Sequence, residues 1–327
     1  MIISRAPVRL SMGGGGTDLP SYYSNHGGFL MAVSINKYVH ILVNKRFQND
    51  IRLSYSETEI VKNVNEIKHN IFRESLKYTG IESQLELVSV ADVPSKCGLG
   101  TSSTFTVALL NGLFTYKRDY KPIGQIAEAA CHLEIDILKE PIGKQDQYAS
   151  AYGGLNAFYF EKDGSVNVEP VNIKQENLIE LQNNILLFYL NKERSAGDIL
   201  ADQNKKSIQN DEVTIERLHK IKQIGLHTKK VFESGNINEF GEILNEHWQT
   251  KKGLSKKISS DYVDEIYETA LKNGAIGGKV VGAGGGGFIM FYCPYEKSKL
   301  IASLKKFNIY PMWFTFEFEG AKKIFSS

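Results

Sequence analysis

Residues 94–104 read Pro-Ser-Lys-Cys-Gly-Leu-Gly-Thr-Ser-Ser-Thr, and they lead directly into the apolar run Phe105 to Leu113. Gly98 and Gly100 have no Cβ, so the backbone there can adopt positive φ and bring its N–H groups close to an anion. The apolar run predicts a helix whose first N–H groups lack intrahelical partners and whose N-terminal end is electropositive. The stretch predicts a phosphate-binding loop, although on its own it fits a glycine turn with a serine cap equally well.

Hydroxyl groups are concentrated at the start of this helix. They can cap the free N–H groups, and one of them can also reach a magnesium ion that bridges two phosphates. A triphosphate is therefore a suitable ligand. The candidate phosphate-binding residues are Pro94, Lys96, Gly98, Leu99, Gly100, Thr101, Ser102, Ser103 and Thr104.

The composition indicates a two-domain protein of a reducing compartment. A chain of 327 residues, 42% of them hydrophobic, exceeds the size at which a single core usually divides. The formal charge of +2 is nearly balanced and the lysine pairs are scattered, which argues against nucleic acid as a partner. Cys97, Cys131 and Cys293 have no disulfide or zinc spacing. The longest apolar run, Ile185 to Leu190, is far shorter than the ~20 residues of a membrane helix, so we expect a cytoplasmic protein without a membrane partner.

A second glycine loop lies near the start of the chain. Four glycines, Gly13 to Gly16, precede Thr17 and Asp18. The backbone can approach a ligand closely here, and the two polar side chains offer hydrogen bonds suited to a polyhydroxylated molecule. Gly15, Gly16, Thr17 and Asp18 are thus candidate substrate-binding residues, with a glycine-rich hairpin as the alternative.

Two acidic residues stand out in the middle of the chain. Glu134 lies near the apolar face of a predicted helix, Pro122 to Leu138, which is unfavourable unless the carboxylate has a cation or a donor. A salt bridge is the simplest explanation. Lys144 and Asp146 lie in a polar turn that opens a short helix, where Asp146 can act as a cap.

The remaining pattern predicts strands in the first half and an α+β domain in the second, with the boundary near residue 170. In the first half we expect a helix at Val64 to Tyr78. We expect strands at Ile2 to Ser4, Phe29 to Ile35, Tyr38 to Lys45, Ile51 to Tyr55, Gln84 to Val90 and Leu155 to Phe160, and the three strands between Phe29 and Tyr55 should be antiparallel. In the second half we expect a strand at Ile185 to Leu190, helices at Ala196 to Ile208, within Thr214 to Ser255 with a break at Gly235-Asn236, at Asp261 to Lys272 and at Lys297 to Lys306, two strands within Gly277 to Tyr292, and a strand at Met312 to Phe318.

A third glycine cluster, Gly282 to Gly287, formally matches the dinucleotide fingerprint. That fingerprint requires a helix after the glycines, whereas Phe288-Ile-Met-Phe-Tyr predicts another strand. No Walker P-loop occurs, and the histidines lack metal-binding spacing. A dinucleotide site and a zinc site are therefore not supported.

The three glycine motifs, in this order, resemble those of the GHMP sugar and mevalonate kinases over almost the whole chain. They are Arg5-Ala-Pro-Val-Arg-Leu-Ser followed by Gly-Gly-Gly-Thr-Asp18, Pro94 followed by Gly-Leu-Gly-Thr-Ser-Ser, and Gly282-Ala-Gly-Gly-Gly-Gly287. Within the family the chain is most similar to the kinases of D-glycero-D-manno-heptose 7-phosphate. It departs at Thr101-Ser102-Ser103-Thr104, where relatives often carry Ser-Ser-Ala.

The resemblance implies a two-domain GHMP kinase fold of the α+β class and assigns roles to the candidates. Residues 1–170 would form a ribosomal-protein-like β-α-β domain and residues 171–327 a ferredoxin-like domain, with ATP and sugar between them. Ser102 and Glu134 would hold Mg²⁺, and Asp146 would take the hydroxyl proton. The remaining implied roles are charge stabilisation by Arg9 or Lys144, and substrate binding by Asp18, Gly284 and Gly285.

The resemblance also implies a reaction. ATP would phosphorylate the anomeric hydroxyl of the heptose 7-phosphate to give the 1,7-bisphosphate, a precursor suited to nucleotide-activated heptose. The alternatives are a kinase of a free hexose such as fucose or galactose, and a regulator that binds nucleotide and sugar without turnover. The distal phosphate of the substrate needs cations, and Arg194 beside Ser195 is the first candidate, ahead of Lys251 and Lys252.

Overall fold

Two β-sheets, each with its own helices, organise this chain. The structure is a computed structural model that describes residues 1–191, 196–209, 211–255 and 257–326. The strands are β1 (Ile2–Gly13), β2 (Gly28–Lys45), β3 (Ile51–Ser54), β4 (Thr58–Val61), β5 (Leu85–Ala91), β6 (Leu155–Phe160), β7 (Val166–Pro170), β8 (Ile185–Tyr189), β9 (Gly277–Val280), β10 (Phe288–Tyr292) and β11 (Lys322–Ser326).

The helices surround the two sheets. They are α1 (Pro20–His26), α2 (Asn70–Thr79), α3 (Thr101–Tyr116), α4 (Ile123–Cys131), α5 (Gln145–Tyr152), α6 (Gln175–Asn184), α7 (Ala196–Ile208), α8 (Glu212–Ser234), α9 (Phe240–Lys252), α10 (Asp261–Lys272) and α11 (Lys297–Leu304). Short 3₁₀ turns span Val64–Glu66, Ile237–Glu239 and Lys305–Phe307, and a π-helical turn spans His132–Ile137. Among the helices described, none is long and apolar enough to cross a bilayer.

The first sheet has the strand order β11-β1-β2-β5-β3-β4, with β6 beside β2 and β7 beside β6. The two short strands expected at Phe29 to Ile35 and Tyr38 to Lys45 are one continuous strand, β2, and β1 continues past Ser4 to Gly13. A register shift between Pro7 and Val8 accommodates the extra residues of β2, so pairing resumes beyond it. As a result, Arg9 lies within a strand and not in a loop.

The strand expected at Ile51 to Tyr55, which is β3, also pairs differently from the antiparallel expectation. β3 is antiparallel to β4 but parallel to β5, because α2 and its flanking turns return the chain to the same end of the sheet.

The helix α3 then packs on this sheet. Val107, Leu110 and Leu113 are fully buried against a core that includes Ile41 and Val43. α3 is apolar on nearly all sides because it is covered on nearly all sides.

The second sheet is a three-stranded antiparallel sheet with the order β8-β10-β9. The long helical region expected after Thr214 is indeed two helices, α8 and α9, separated by Gly235 and a 3₁₀ turn. α9 lies directly over β9 because Gly277 has no side chain: a Cβ there would be 2.0 Å from the carbonyl oxygen of Gly241. This close approach positions one face of α9 beside the residues of β9.

The chain moves from the first sheet to the second after Pro170 and later returns. The strand expected at Met312 to Phe318 makes only single bridges, Ile35 to Phe316 and Phe188 to Pro311. Isolated backbone hydrogen bonds hold the segment, such as those of the Asn36 N–H to Thr315 O at 3.0 Å and of the Glu317 N–H to Ser34 O at 2.9 Å. Side-chain amides add to them, since Asn36 Oδ1 accepts from the backbone N–H of Thr315 at 2.8 Å and Gln182 Oε1 accepts from that of Phe316 at 2.7 Å. The segment ends in β11, which pairs antiparallel with β1 and which the sequence pattern did not reveal.

Candidate active site

A cavity of about 410 Å³ lies between the two sheets. The first domain contributes the phosphate loop (residues 94–104) and the sugar loop (residues 13–18). The second domain contributes α9, β9 and the start of the third glycine cluster. All three glycine motifs found in the sequence therefore meet at one cavity, as their resemblance to a kinase site implied.

The phosphate loop has the backbone expected of it. Gly98 has φ +86° and Gly100 has φ +76°, a backbone region that residues other than glycine rarely adopt. Gly100 is the N-cap of α3, and no side chain caps the helix there, contrary to the expected hydroxyl cap. The first N–H groups of α3 are thus left for an anion in the cavity.

The four hydroxyls at the start of α3 have separate environments. Thr101 Oγ1 donates to Pro94 O at 3.2 Å, and Thr104 Oγ1 donates to Gly100 O at 3.0 Å. Ser102, in contrast, is exposed and lines the cavity. Of the four candidates, Ser102 therefore has the geometry most suited to a metal ion at bound phosphates.

The other phosphate-loop candidates divide into two groups. The cavity wall includes Lys96, Gly98, Gly100, Thr101, Ser102 and Ser103. Pro94, Leu99 and Thr104 support the loop from behind, where the carbonyl oxygen of Leu99 accepts from the backbone N–H of Arg9 at 3.2 Å.

An ion pair between Arg9 and Asp146 faces the phosphate loop. Asp146, in the first turn of α5, accepts from Arg9 Nε at 2.8 Å, and Arg9 Nη2 lies 2.6 Å from the same oxygen. Arg9 also donates to Gly98 O at 2.6 Å, and its side chain is only 3% exposed. A Cβ at Gly100 would lie 3.0 Å from Asp146 Cγ, so the carboxylate rests against the loop. The Asp146 carboxylate, the Arg9 guanidinium and the phosphate loop are thus held together by direct contacts.

Lys144 is placed elsewhere. Its Nζ donates to both carboxylate oxygens of Glu128 at 3.2 Å and to Gly164 O at 2.6 Å. It does not line the cavity. Of the two residues expected to stabilise charge near Asp146, the structure brings Arg9 to it and directs Lys144 away.

Glu134 occupies the π-helical turn that follows α4, at the position expected to continue a regular helix. Its carboxylate accepts from Thr106 Oγ1 at 3.1 Å and from Gln147 Nε2 at 2.6 Å, with no cation paired to it among the described residues. Burial raises the pKa of Glu134 to about 7, and the nearby Asp146 acts in the same direction. The expected salt bridge is absent from the described part of the chain, so neutral donors satisfy this acid at the cavity wall.

The pair of Ser102 and Glu134 fits a divalent cation. Glu134 lines the cavity with Ser102, and its oxygens retain lone pairs beyond those that accept from Ser103, Thr106 and Gln147. The described residues contain no group of three or more His, Cys, Asp or Glu side chains arranged for a metal. One hydroxyl and one carboxylate, completed by phosphate oxygens and water, is the sparse protein ligation that Mg²⁺ accepts.

The sugar loop shows a front and a back. Gly15 and Gly16 line the cavity, whereas Thr17 and Asp18 are buried behind them. Asp18 accepts from the N–H of Gly16 at 3.0 Å and from that of Gln145 at 3.2 Å. Burial, and then the charge of Asp146, raises the pKa of Asp18. In this structure Asp18 shapes the loop, and its contact with a sugar stays a prediction.

Two polar residues that the sequence analysis missed lie in front of the sugar loop. Ser11 Oγ and Gln145 Oε1 are buried and have no hydrogen-bond partner among the described residues. An ideal Cβ at Gly15 would lie 3.2 Å and 3.9 Å from them, and both residues line the cavity. Unsatisfied polar atoms at a cavity wall are suited to ligand hydroxyls.

The third glycine cluster docks on the phosphate loop. The N–H of Phe288 donates to the carbonyl oxygen of Cys97 at 3.0 Å. Gly282 and Ala283 reach the cavity, but the expected substrate-binding residues Gly284 and Gly285 do not. The N–H of Gly285 instead donates to Ile258 O at 2.8 Å, so these two glycines shape the loop behind the wall.

The candidates for the distal phosphate have different outcomes. Arg194 and Ser195 lie outside the described residues, so the role of Arg194 stays a prediction. Lys251 is buried, lines the cavity and donates to the carbonyl oxygen of Gly282. Lys252 points away and pairs with Asp264 at 3.3 Å. His247 and Lys279, which no sequence motif marked, also line the cavity.

Comparison with known proteins agrees with this geometry. Two family models match: GHMP kinases N terminal domain over residues 60–154, and GHMP kinases C terminal over residues 228–309. The D-glycero-alpha-D-manno-heptose 7-phosphate kinase of Campylobacter jejuni is 34% identical over 98% of each chain. The L-fucokinase/L-fucose-1-P guanylyltransferase of Bacteroides fragilis is 26% identical over 88% of this chain and 34% of its own length.

Solved structures give the same result. The crystal structure of a D-glycero-D-manno-heptose 1-phosphate kinase from Bacteroides thetaiotaomicron matches with a TM-score of 0.83 at 26% identity, covering 100% of both chains. A putative sugar kinase from Campylobacter jejuni matches with a TM-score of 0.78 at 29% identity, covering 98% of this chain and 97% of its own. The chain therefore belongs to the GHMP kinase family, with its two-domain fold, and is an ATP-dependent sugar kinase.

Proposed function

We propose that this kinase transfers the γ-phosphoryl group of ATP to the anomeric hydroxyl of D-glycero-D-manno-heptose 7-phosphate and forms the 1,7-bisphosphate. The product suits the synthesis of nucleotide-activated heptose. The observation that carries the proposal is the Arg9–Asp146 pair, which lies against the phosphate loop at Gly98 and Gly100. The heptose kinase relatives support the choice of sugar.

The donor binds through backbone and helix. The uncapped N–H groups at the start of α3 and those of the left-handed glycines donate to the phosphate oxygens of ATP. Ser102 and Glu134 would hold Mg²⁺, which would supply positive charge to the phosphates of ATP. This arrangement leaves the γ-phosphate facing Arg9 and Asp146.

The acceptor hydroxyl lies between Asp146 and the γ-phosphate. As the oxygen of C1 forms its bond to phosphorus, the bond from phosphorus to the β–γ bridging oxygen breaks and ADP leaves. Asp146 first orients the hydroxyl by accepting its hydrogen bond, and it takes the proton late because a carboxylate is a weak base toward a sugar hydroxyl. Arg9 stabilises the charge that develops on the equatorial oxygens.

Two alternatives have different support. A kinase of a free hexose is favoured by the fucokinase relative, and the sugar loop alone fits either substrate. A regulator without turnover is disfavoured, since Arg9, Asp146, Ser102 and Glu134 are all in place for chemistry.

The test is a direct comparison of acceptors. The purified enzyme is incubated with ATP, Mg²⁺ and either heptose 7-phosphate, heptose 1-phosphate, unphosphorylated heptose, fucose or galactose, and ³¹P NMR identifies the product. We expect the highest kcat/KM with heptose 7-phosphate and a new anomeric phosphate signal. A higher kcat/KM with fucose, galactose or unphosphorylated heptose would refute the proposed substrate.

A further inference from the structure

The second-domain wall of the cavity contains a group of basic side chains that the reaction described above does not use. We name it the basic cluster: His247, Lys251 and Lys279. His247 and Lys251 are four residues apart on α9, so they share one helix face, and Lys279 belongs to β9, on which α9 packs. All three side chains line the same cavity as Arg9 and Gly16.

The cluster is buried but electrostatically incomplete. Residue exposure is 1% for His247, 8% for Lys251 and 2% for Lys279. Both ring nitrogens of His247 have no hydrogen-bond partner among the described residues. Within that same part of the chain, neither lysine forms an ion pair, and the contact of Lys251 with Gly282 O is to a neutral carbonyl. Buried cations are normally paired, so this cluster is complete only when an anion is present.

Charges around the cluster are mostly of the same sign. Burial holds the pKa of Lys279 well below its usual value, and the positive charges of Lys251 and Arg9 act in the same direction. Burial, aided by Lys279 and Lys251, likewise lowers the pKa of His247. Burial lowers the pKa of Lys251 to about 8, with Arg9 adding to the effect and Asp18 opposing it. A dianion would relieve this repulsion and offers three oxygens for three donors.

The phosphates of ATP already have their own site. They are accepted by the uncapped N-terminus of α3 in the first domain, whereas the cluster belongs to α9 and β9 of the second. Gly16 of the sugar loop lines the same cavity. Asp18, behind it, is the carboxylate whose charge acts on the pKa of Lys251. The cluster thus borders the acceptor and not only the donor.

We propose that His247, Lys251 and Lys279 bind the phosphate of the acceptor substrate and so make the enzyme selective for a sugar phosphate over the free sugar. This inference rests on the proposed function, because it requires an acceptor that already bears a phosphate. It assigns to two domains the two anions that such a kinase must hold at once.

The experiment compares two acceptors in matched variants. Lys279→Met and Lys251→Met each remove one cation, and Lys252→Met is the control because Lys252 pairs with Asp264 outside the cavity. KM and kcat are measured for heptose 7-phosphate, for unphosphorylated heptose and for ATP. Since a charged hydrogen bond is strong, we expect KM for heptose 7-phosphate to rise about ten- to a hundredfold in the two cluster variants, with the other two KM values nearly unchanged.

Four outcomes would overturn the inference. Equal losses for both sugars would show a structural role, and a rise in KM for ATP alone would show that the cluster binds the donor. A parent enzyme that prefers the free sugar would refute the proposed function and this inference with it. A parent that prefers heptose 7-phosphate, with variants that keep this preference, would refute the inference only.

A second measurement on the parent enzyme needs no variant. Calorimetric titration at pH 8 in two buffers of different ionisation enthalpy counts the protons taken up on binding. The groups that face Lys251 are Arg9, Asp18, His247 and Lys279, and a phosphate dianion among them favours the protonated forms of the lysines and histidine. We expect proton uptake with heptose 7-phosphate and none with unphosphorylated heptose. Equal uptake with both sugars, or none with either, would contradict the assignment.

Discussion

The two walls of the cleft handle charge in opposite ways. On the first-domain wall the groups assigned to the chemistry have partners: Arg9 pairs with Asp146, and Glu134 accepts from Thr106 and Gln147. On the second-domain wall, both ring nitrogens of His247 lack a hydrogen-bond partner among the described residues, and the charges that act on Lys279 are the like charges of Lys251 and Arg9. The comparison indicates that paired charges fix the geometry that catalysis requires, whereas buried charges without a partner favour the binding of a ligand that pairs with them.

The largest effect should come from the paired wall. Asp146→Asn keeps the size of the side chain but removes the acceptor for the hydroxyl proton. We expect kcat to fall about 10²–10⁴-fold while the affinity for ATP is retained, because the phosphate loop is unchanged. Steady-state rates and equilibrium nucleotide binding check this. A variant with nearly normal kcat would mean that another residue is the base.

The next effect tests whether Ser102 and Glu134 act through one ion. Ser102→Ala and Glu134→Gln should each lower activity at limiting Mg²⁺ by at least about tenfold. The activity of the double variant should be only slightly lower than that of the less active single variant, because either substitution already weakens binding of the shared ion. Titration of rate against Mg²⁺ for the three proteins gives the result. Fully multiplicative losses would separate the two residues.

The unpaired wall should show its effect on stability. The pKa of Lys251 is about 8 in the folded chain and near 10.5 when unfolded, so the unfolded state binds more protons between these values and stability rises with pH across that window. Lys251→Met removes this dependence. Without ligand we expect the variant to be more stable than the parent by on the order of 1–3 kcal/mol at pH 7, with the difference lost by about pH 10.5.

Denaturant titration of both proteins at several pH values measures this difference, with Lys252→Met as the exposed control. A parent that is as stable as Lys251→Met at pH 7 would show that the buried lysine carries no penalty. Gains in stability on removing a functional group are common, because binding sites are not optimised for folding.

The smallest effect concerns Lys144. Lys144 is bound to Glu128 and Gly164 O and does not reach the cavity. Lys144→Met should therefore change kcat by less than about fivefold, which corresponds to the free energy of a typical surface ion pair. Arg9→Met, measured beside it, should cost far more. A loss for Lys144→Met as large as that for Arg9→Met would show that Lys144 moves to the reacting groups during turnover.

These expectations also show what the sequence could and could not provide. The glycine loops, the helix after residue 104 and the break between α8 and α9 were predictable, because each depends on local chemistry or on periodicity. Glu134 and Asp146 became site candidates only through the resemblance to the GHMP kinases. The continuous strand β2 was not predictable, since its continuity depends on a register shift in its pairing with β1. The π-helical turn was missed because it spans only six residues at the end of a helical stretch, too few for a separate periodic signal.

The basic cluster was equally hidden from the sequence. Lys251 belongs to one of many lysine pairs, His247 resembles a core histidine, and Lys279 follows two glycines in a strand. Only the packing of α9 on β9, made possible at Gly277, brings the three residues together. Side chains from separate elements leave no spacing signal, so such a site becomes visible only in three dimensions.

The pairing of β11 with β1 has a consequence for biosynthesis. The outer edge of the first residues of β1, Ile2 to Arg5, pairs with Lys322–Ser326, more than 300 residues later in the numbering. While the ribosome is still making the second domain, this edge displays unpaired N–H and C=O groups that can recruit strands of other chains. The first residues of β1 therefore stay an unpaired edge until residue 326 has left the exit tunnel, after all the other strands of their sheet have been synthesised.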